Sequence, residues 1–293
     1  MTEQMAKAGQ IEIAYETFGR ETHPPLLLIM GLGVQMLGWD EDFCQRLADR
    51  GYWVVRFDNR DAGLSTHFHD AAPPNALAAL MGDTSSAAYT LEDMADDTVG
   101  LMDAIGVDAA HLVGVSMGGM IAQTVAIQHP ERVRSLTSIM STTGERAVTT
   151  SSPEAQAVLF TAPPADRQGY EDNAARAFRV IGSPGFPFDE EAVRQRARRS
   201  FDRSYDPMGV GRQFLAIYAS GDRTSALAAV TIPTLVIHGE LDPLIQLPAG
   251  RATAAAIPGA ELDVIEGMGH DLNPKVWDRV IDGIDKTARK SER

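Results

Sequence analysis

The sequence predicts an α/β protein in which a mostly parallel sheet carries helices on both faces. Three observations carry that expectation. Short β-rich runs alternate with stretches of helical periodicity, as strands and their crossover helices do. The run "LLLIM" at 26–30 is apolar at every position, which suits a strand covered on both faces. The alternation lapses between 142 and 230, where the chain turns helical and polar, and then resumes. That segment reads as an insertion between two strands of one sheet rather than as a tandem domain. A chain of 293 residues, 44% of them hydrophobic, has ample material for one large core.

The elements follow in order. "IEIAYETFG" (11–19) alternates and is expected as an antiparallel edge strand. "LLLIMG" (26–31) is the first parallel strand, followed by a helix at about 40–50 and by the strand "WVVRFD" (53–58). Residues 67–90 are irregular and rich in Ala, Pro and Ser. Loops of that length commonly serve as lids or binding loops. A helix begins after Thr90, an N-cap with Asp93 three residues on. "HLVGVS" (111–116) is a strand, and "MGGMIAQTVAIQH" is a helix that Pro130 stops. "VRSLTSIMS" (133–141), "IPTLVIHGELD" (232–242) and "AELDVIEGMGH" (260–270) are the remaining strands, and a helix at about 274–288 closes the chain. Inside the insertion, "EEAVRQRARRSFDRSYD" (190–206) carries a basic run of arginines.

Composition narrows the function. Forty acidic against 26 basic residues give a net charge of −14, which weighs against nucleic acid and anionic membrane surfaces as partners. The one cysteine, Cys44, can form no intrachain disulfide and is expected in the core. No apolar run is long enough to span a membrane, and no Sec-type apolar region follows the N-terminus, so a cytoplasmic location is expected. Oligomeric state is left open, with a homodimer among the options.

The chemistry centres on "GVSMG" (114–118), a match to G-x-S-x-G at a junction of strand and helix. A serine nucleophile at such a turn needs small neighbours two residues away on each side, and Gly114 and Gly118 supply them. The bare pattern also fits a glycine-rich turn with an incidental serine; the strand before it and the helix after it favour the nucleophile. Ser116 then needs a base, and the base a carboxylate. Among the seven histidines, His270 is set apart. It follows the strand "LDVI" in a loop with two glycines, at the same C-terminal sheet edge as Ser116. Two carboxylates leave the preceding strand at that edge, Glu240 and Asp242. Asp242, with its shorter side chain at an Asp-Pro turn, is preferred, and Glu240 is the alternative. One oxyanion donor is expected from the backbone of Met117. The other should come from the loop "MGLGVQMLGW" (30–39), where Gly31 lets the backbone approach and Leu32 is the candidate donor.

Taken together, "LLLIMGLG", "RFDNRDAGLST", "LVGVSMGG", "PTLVIHGELDP" and "IEGMGH" resemble the α/β-hydrolase superfamily in order and spacing over nearly the whole chain. The stretch from Met30 to Thr66 is similar to the bacterial esterase branch that includes aclacinomycin methylesterase. The resemblance implies an eight-stranded, mostly parallel sheet formed by 1–141 and 231–293. It also implies a helical cap at 142–230 between strands 6 and 7, the triad Ser116–Asp242–His270, and neither cofactor nor metal. Many members carry His-Gly in the oxyanion loop where this chain has Met30-Gly31, which removes a polar side chain near the pocket. The segment "FRVIGSPGFPFDEEAVR" (178–194) resembles the cap of that branch, and Phe178, Phe186 and Phe188 are candidates, with Met30, to line an apolar pocket.

The expected activity is hydrolysis of a small-molecule carboxylic ester through an acyl-enzyme. A lactonase, a cofactor-free haloperoxidase and a C–C hydrolase would use the same triad. A non-catalytic ligand receptor on the same scaffold is the reading outside enzymology.

Overall fold

The computed structural model describes residues 3–292. Its strands are β1 (Gln4–Ala8), β2 (Ile11–Phe18), β3 (Pro25–Ile29), β4 (Trp53–Phe57), β5 (Ala110–Val115), β6 (Val133–Ile139), β7 (Thr234–Gly239) and β8 (Glu261–Ile265). They form one sheet in the order β1-β2-β4-β3-β5-β6-β7-β8. β1 and β2 pair antiparallel, as do β2 and β4, and every later pairing is parallel. The helices of the core are α1 (Glu41–Asp49), α2 (Ala76–Leu80), α3 (Leu91–Ala104) and α4 (Met117–Gln128). A helical insert between β6 and β7 holds α5 (Pro153–Leu159), α6 (Arg167–Ile181), α7 (Glu190–Arg203), α8 (Pro207–Ser220) and α9 (Thr224–Leu227). α10 (Leu247–Ala256) and α11 (Trp277–Ala288) complete the chain. None of the described helices is long and apolar enough to cross a membrane.

The two-sided burial expected of "LLLIM" is met residue by residue. Leu27 and Ile29 join Val55 and Leu112 in a core shared with α3, α4 and α10. Leu26 and Leu28 join Val54, Val113 and Val115 in a second core under α1 and α11. Each fully buried leucine of this kind contributes about 1.5–3 kcal/mol. Thr90 caps α3 as expected: its hydroxyl accepts from the Asp93 N–H while the Asp93 carboxylate accepts from the Thr90 N–H. Cys44 lies in the second core, where burial pushes its thiol up to about 12.

One expectation fails. β2 is not an edge strand, because β1 pairs along it from Gln4 opposite Tyr15 to Ala8 opposite Ile11. The sequence of β1, QMAKA, presents only Ala6 and Ala8 inward, too little apolar alternation to read as a strand. Residues 67–90 are largely irregular as expected, with the short α2 packed against α8.

His111 on β5 is buried, with Nδ1 against the Ser135 hydroxyl at 2.8 Å and its ring edge-on to Tyr52. Burial lowers its pKa to about 4. The folded protein therefore keeps it neutral where the unfolded chain, titrating near 6.5, binds a proton. Stability from this residue is present above about pH 6.5 and is lost as pH falls towards 4. We expect the loss of unfolding free energy between pH 7 and 4.5 to shrink by about 2 kcal/mol in His111→Phe, measured by urea titration. An unchanged loss would contradict this origin of acid sensitivity.

Candidate active site

The turn between β5 and α4 leaves almost no space. A Cβ on Gly114 would lie 2.1 Å from the Gly118 carbonyl oxygen, and one on Gly118 would lie 2.1 Å from that of Ile29. Gly119, which the sequence reading did not single out, is less tightly confined but still faces Ser141: a Cβ there would meet the Ser141 Cβ at 2.7 Å. Between these glycines Ser116 adopts φ 54° and ψ −120°, a strained backbone for a residue with a side chain. Its N–H donates to the Ile139 carbonyl, and its own carbonyl accepts from the Ser141 hydroxyl at 2.8 Å. Ser116 stands at the N-cap of α4, yet its hydroxyl makes no capping bond.

That hydroxyl instead meets His270, with Oγ 3.1 Å from Nε2. His270 Nδ1 lies 2.7 Å from Asp242 Oδ2. An Nδ1–H that donates to the carboxylate leaves Nε2 free to accept from serine. The other Asp242 oxygen accepts from the N–H groups of Leu244 and Ile245, so both of its oxygens are held. Asp242 thus holds the turn that follows it and contacts His270 at once. Glu240 is exposed and does not join this chain of hydrogen bonds.

The loop after β3 approaches closely because residue 31 lacks a side chain: a Cβ there would be 3.2 Å from that of Ser116. The backbone N–H groups of Leu32 and Met117 donate to no other group among the described residues. Two unforeseen side chains hold this loop. Asn59 donates to the Met30 carbonyl at 2.9 Å, and Gln213 of α8 accepts from the Gly33 N–H at 2.8 Å. Asn59 belongs to the "RFDNRDAGLST" stretch. Gln213 gives no signal in sequence, because it becomes visible only when the insert folds over the core.

The insert is fastened to that same stretch by buried ion pairs. Arg212 grips Asp61 through two hydrogen bonds of 2.8 and 2.7 Å, and Arg203 pairs with Asp58 at 2.7 Å. Burial raises the Asp58 pKa against the pull of Arg203. The link after α6 reaches the His270 loop: the His270 N–H donates to the Ile181 carbonyl at 2.7 Å, and the Gly269 N–H to the Ser183 hydroxyl at 2.9 Å.

Ser116 and His270 open into a cavity of about 700 Å³ roofed by the insert. Met30, Phe178 and Phe188 line it as expected, whereas Phe186 packs against the second core instead. The long loop contributes Leu80, and Arg196 of α7 is a lining residue that the sequence reading missed. His67, His69 and Asp206 form a group whose donor atoms could hold a metal, but none of them lines this cavity.

We expect Gly114→Ala to lower stability by more than about 2 kcal/mol in urea unfolding, because backbone and not a flexible side chain would have to give way. A wild-type denaturation midpoint would show that the crossing has room to spare.

Comparison with known proteins agrees with this architecture. A family model described as the alpha/beta hydrolase fold matches residues 24–274. Rhodomycin D methylesterase DauP of Streptomyces sp. (strain C5) is 28% identical over 93% of both chains. 3-Oxoadipate enol-lactonase 2 of Acinetobacter baylyi is 25% identical over 95% of both. Among solved structures, a thermophilic esterase from Thermogutta terrifontis superposes with a TM-score of 0.74 at 25% identity, covering all of both chains. With the matched family model spanning β3 to β8, the insert and the Ser116 turn, the chain belongs to the alpha/beta hydrolase fold family.

Proposed function

We propose that the protein hydrolyses a small-molecule carboxylic ester, with Ser116 as nucleophile, His270 as general base and Asp242 as its orienting carboxylate. The observation that carries this reading is the unbroken chain Ser116 Oγ–His270 Nε2 and His270 Nδ1–Asp242 Oδ2, at 3.1 and 2.7 Å, opening into the cavity. A serine hydroxyl is a weak nucleophile at neutral pH, and a hydrogen-bonded imidazole removes its proton as the bond to the carbonyl carbon forms. The resulting imidazolium is stabilised by the Asp242 carboxylate beside it. The tetrahedral oxyanion takes the N–H groups of Leu32 and Met117 at the start of α4, where the helix dipole also favours negative charge. His270 then returns its proton to the leaving alcohol. A water, deprotonated by the same imidazole, releases the acid from the acyl-enzyme.

The methylesterase and esterase relatives support an ester substrate. So does the lining of Met30, Phe178 and Phe188, which favours an apolar moiety beside the scissile bond.

We expect Ser116→Ala to lose turnover of p-nitrophenyl butyrate by about 10⁴-fold or more, together with labelling by a fluorophosphonate. Asp242→Asn should fall by a similar factor while still taking the label slowly. Full turnover in the alanine variant would remove Ser116 from the mechanism. Binding of esters without any turnover by the wild type would point to a receptor.

A further inference from the structure

Charged side chains are few in the cavity, and all but one have an evident partner or face solvent. Asp40 accepts from the Asp42 N–H and Asp189 from the Ala192 N–H, each at the start of a helix. Asp271 accepts from the Ser183 hydroxyl. Lys275 is exposed at the rim. Arg196, in the middle of α7, is only partly exposed, and its guanidinium lies over the Phe178 ring, 5.5 Å from the centroid. It makes no hydrogen bond or ion pair with any described residue.

Its neighbours on α7 behave differently. Arg194 pairs with Asp172 and Glu190, Arg198 with Glu171, Arg199 with Glu41, and Arg203 with Asp58 and Glu3. The basic run is thus a set of neutralised cations with one exception, and the exception faces the cavity that holds Ser116. Withdrawal from water holds the Arg196 pKa below its ordinary value, with Asp40 and Asp271 opposing that effect from a distance. A guanidinium offers five donors in a planar fork, and leaving them without acceptors while partly withdrawn from water costs free energy. An acceptor brought by the ligand would recover that cost, and the fork matches the two oxygens of a carboxylate.

We propose that Arg196 binds a free carboxylate carried by the substrate, so that the natural substrate class is carboxylate-bearing esters such as half-esters of dicarboxylic acids. This rests on the ester-hydrolase reading above. Partial withdrawal from water strengthens such an ion pair, and the guanidinium already lies over the Phe178 ring.

The test pairs monoethyl esters of dicarboxylic acids of graded length with neutral ethyl esters of equal length. The wild type should prefer the half-ester over its neutral twin, by kcat/KM, for at least one length. Arg196→Gln should reduce that preference about 10- to 100-fold, mainly through KM, and Arg196→Lys should keep part of it, since it retains charge but not the fork. Calorimetry of the same half-ester with Ser116→Ala, and with Ser116→Ala combined with Arg196→Gln, reads binding without turnover and should show the same loss. Preference for the neutral twin at every length, or half-ester preference and binding unaltered in Arg196→Gln, would overturn the proposal. If no ester of either kind turns over but half-ester binding still depends on Arg196, the hydrolase reading fails and the carboxylate site stands.

Discussion

The crossing of the β5–α4 turn over the end of β3 is the constraint on which the rest of the site depends. Backbone passes backbone so closely at Gly114 and Gly118 that a single methyl group at either position would overlap a carbonyl oxygen. That closeness forces Ser116 into a positive φ and lifts its hydroxyl away from the capping role a serine would otherwise take at a helix start. The same closeness brings the loop after β3 against the serine, so Gly31 and Leu32 come beside it without a long excursion. The strain is sustained by the surrounding sheet. The Ser116 N–H is tied to β6, and the serine carbonyl to Ser141 beyond it. A rigid parallel core is therefore part of what holds Ser116 in an unfavourable conformation.

A second layer of organisation lies in the seam between core and insert. Asp58 and Asp61, in the stretch after β4, reach arginines on α7 and α8, and Gln213 of α8 bridges Gly33 of the loop after β3 to the Arg60 carbonyl. Buried carboxylates of this kind are costly to withdraw from water, and the arginines offset that cost only when the insert is seated. The insert thus belongs to the site in an energetic sense as well as a geometric one.

Much of this was readable in the chain. Continuous apolar runs identified the buried strands because both sheet faces are covered, and Thr90 and Asp93 announced α3 through their reciprocal cap. The order of Ser116, Asp242 and His270 along successive strand ends was enough to bring them to one sheet edge. Glu240 and Asp242 could not be separated by spacing alone; their separation needed the turn in which the Leu244 and Ile245 amides point at Asp242. β1 stayed hidden because two alanines carry its inward face. Phe178 and Phe186 looked alike in sequence, yet the first lines the cavity and the second the core, a difference set by the direction of the chain after α6. Arg196 was invisible for another reason: in a basic run every arginine reads the same, and only three-dimensional pairing reveals which one is left over.

The hydrogen bond from the His270 amide to the Ile181 carbonyl has a consequence for how such a protein can change over evolution. Ile181 ends the helix whose Phe178 lines the cavity, so a substitution that reshapes the pocket there also shifts the anchor of the proposed base. The shape of the cavity and the placement of His270 share one joint. Adaptation to a new substrate through α6 would therefore proceed in correlated steps, with compensating changes near 267–271 and in α7, whose Arg194 and Arg198 are ion-paired to α6.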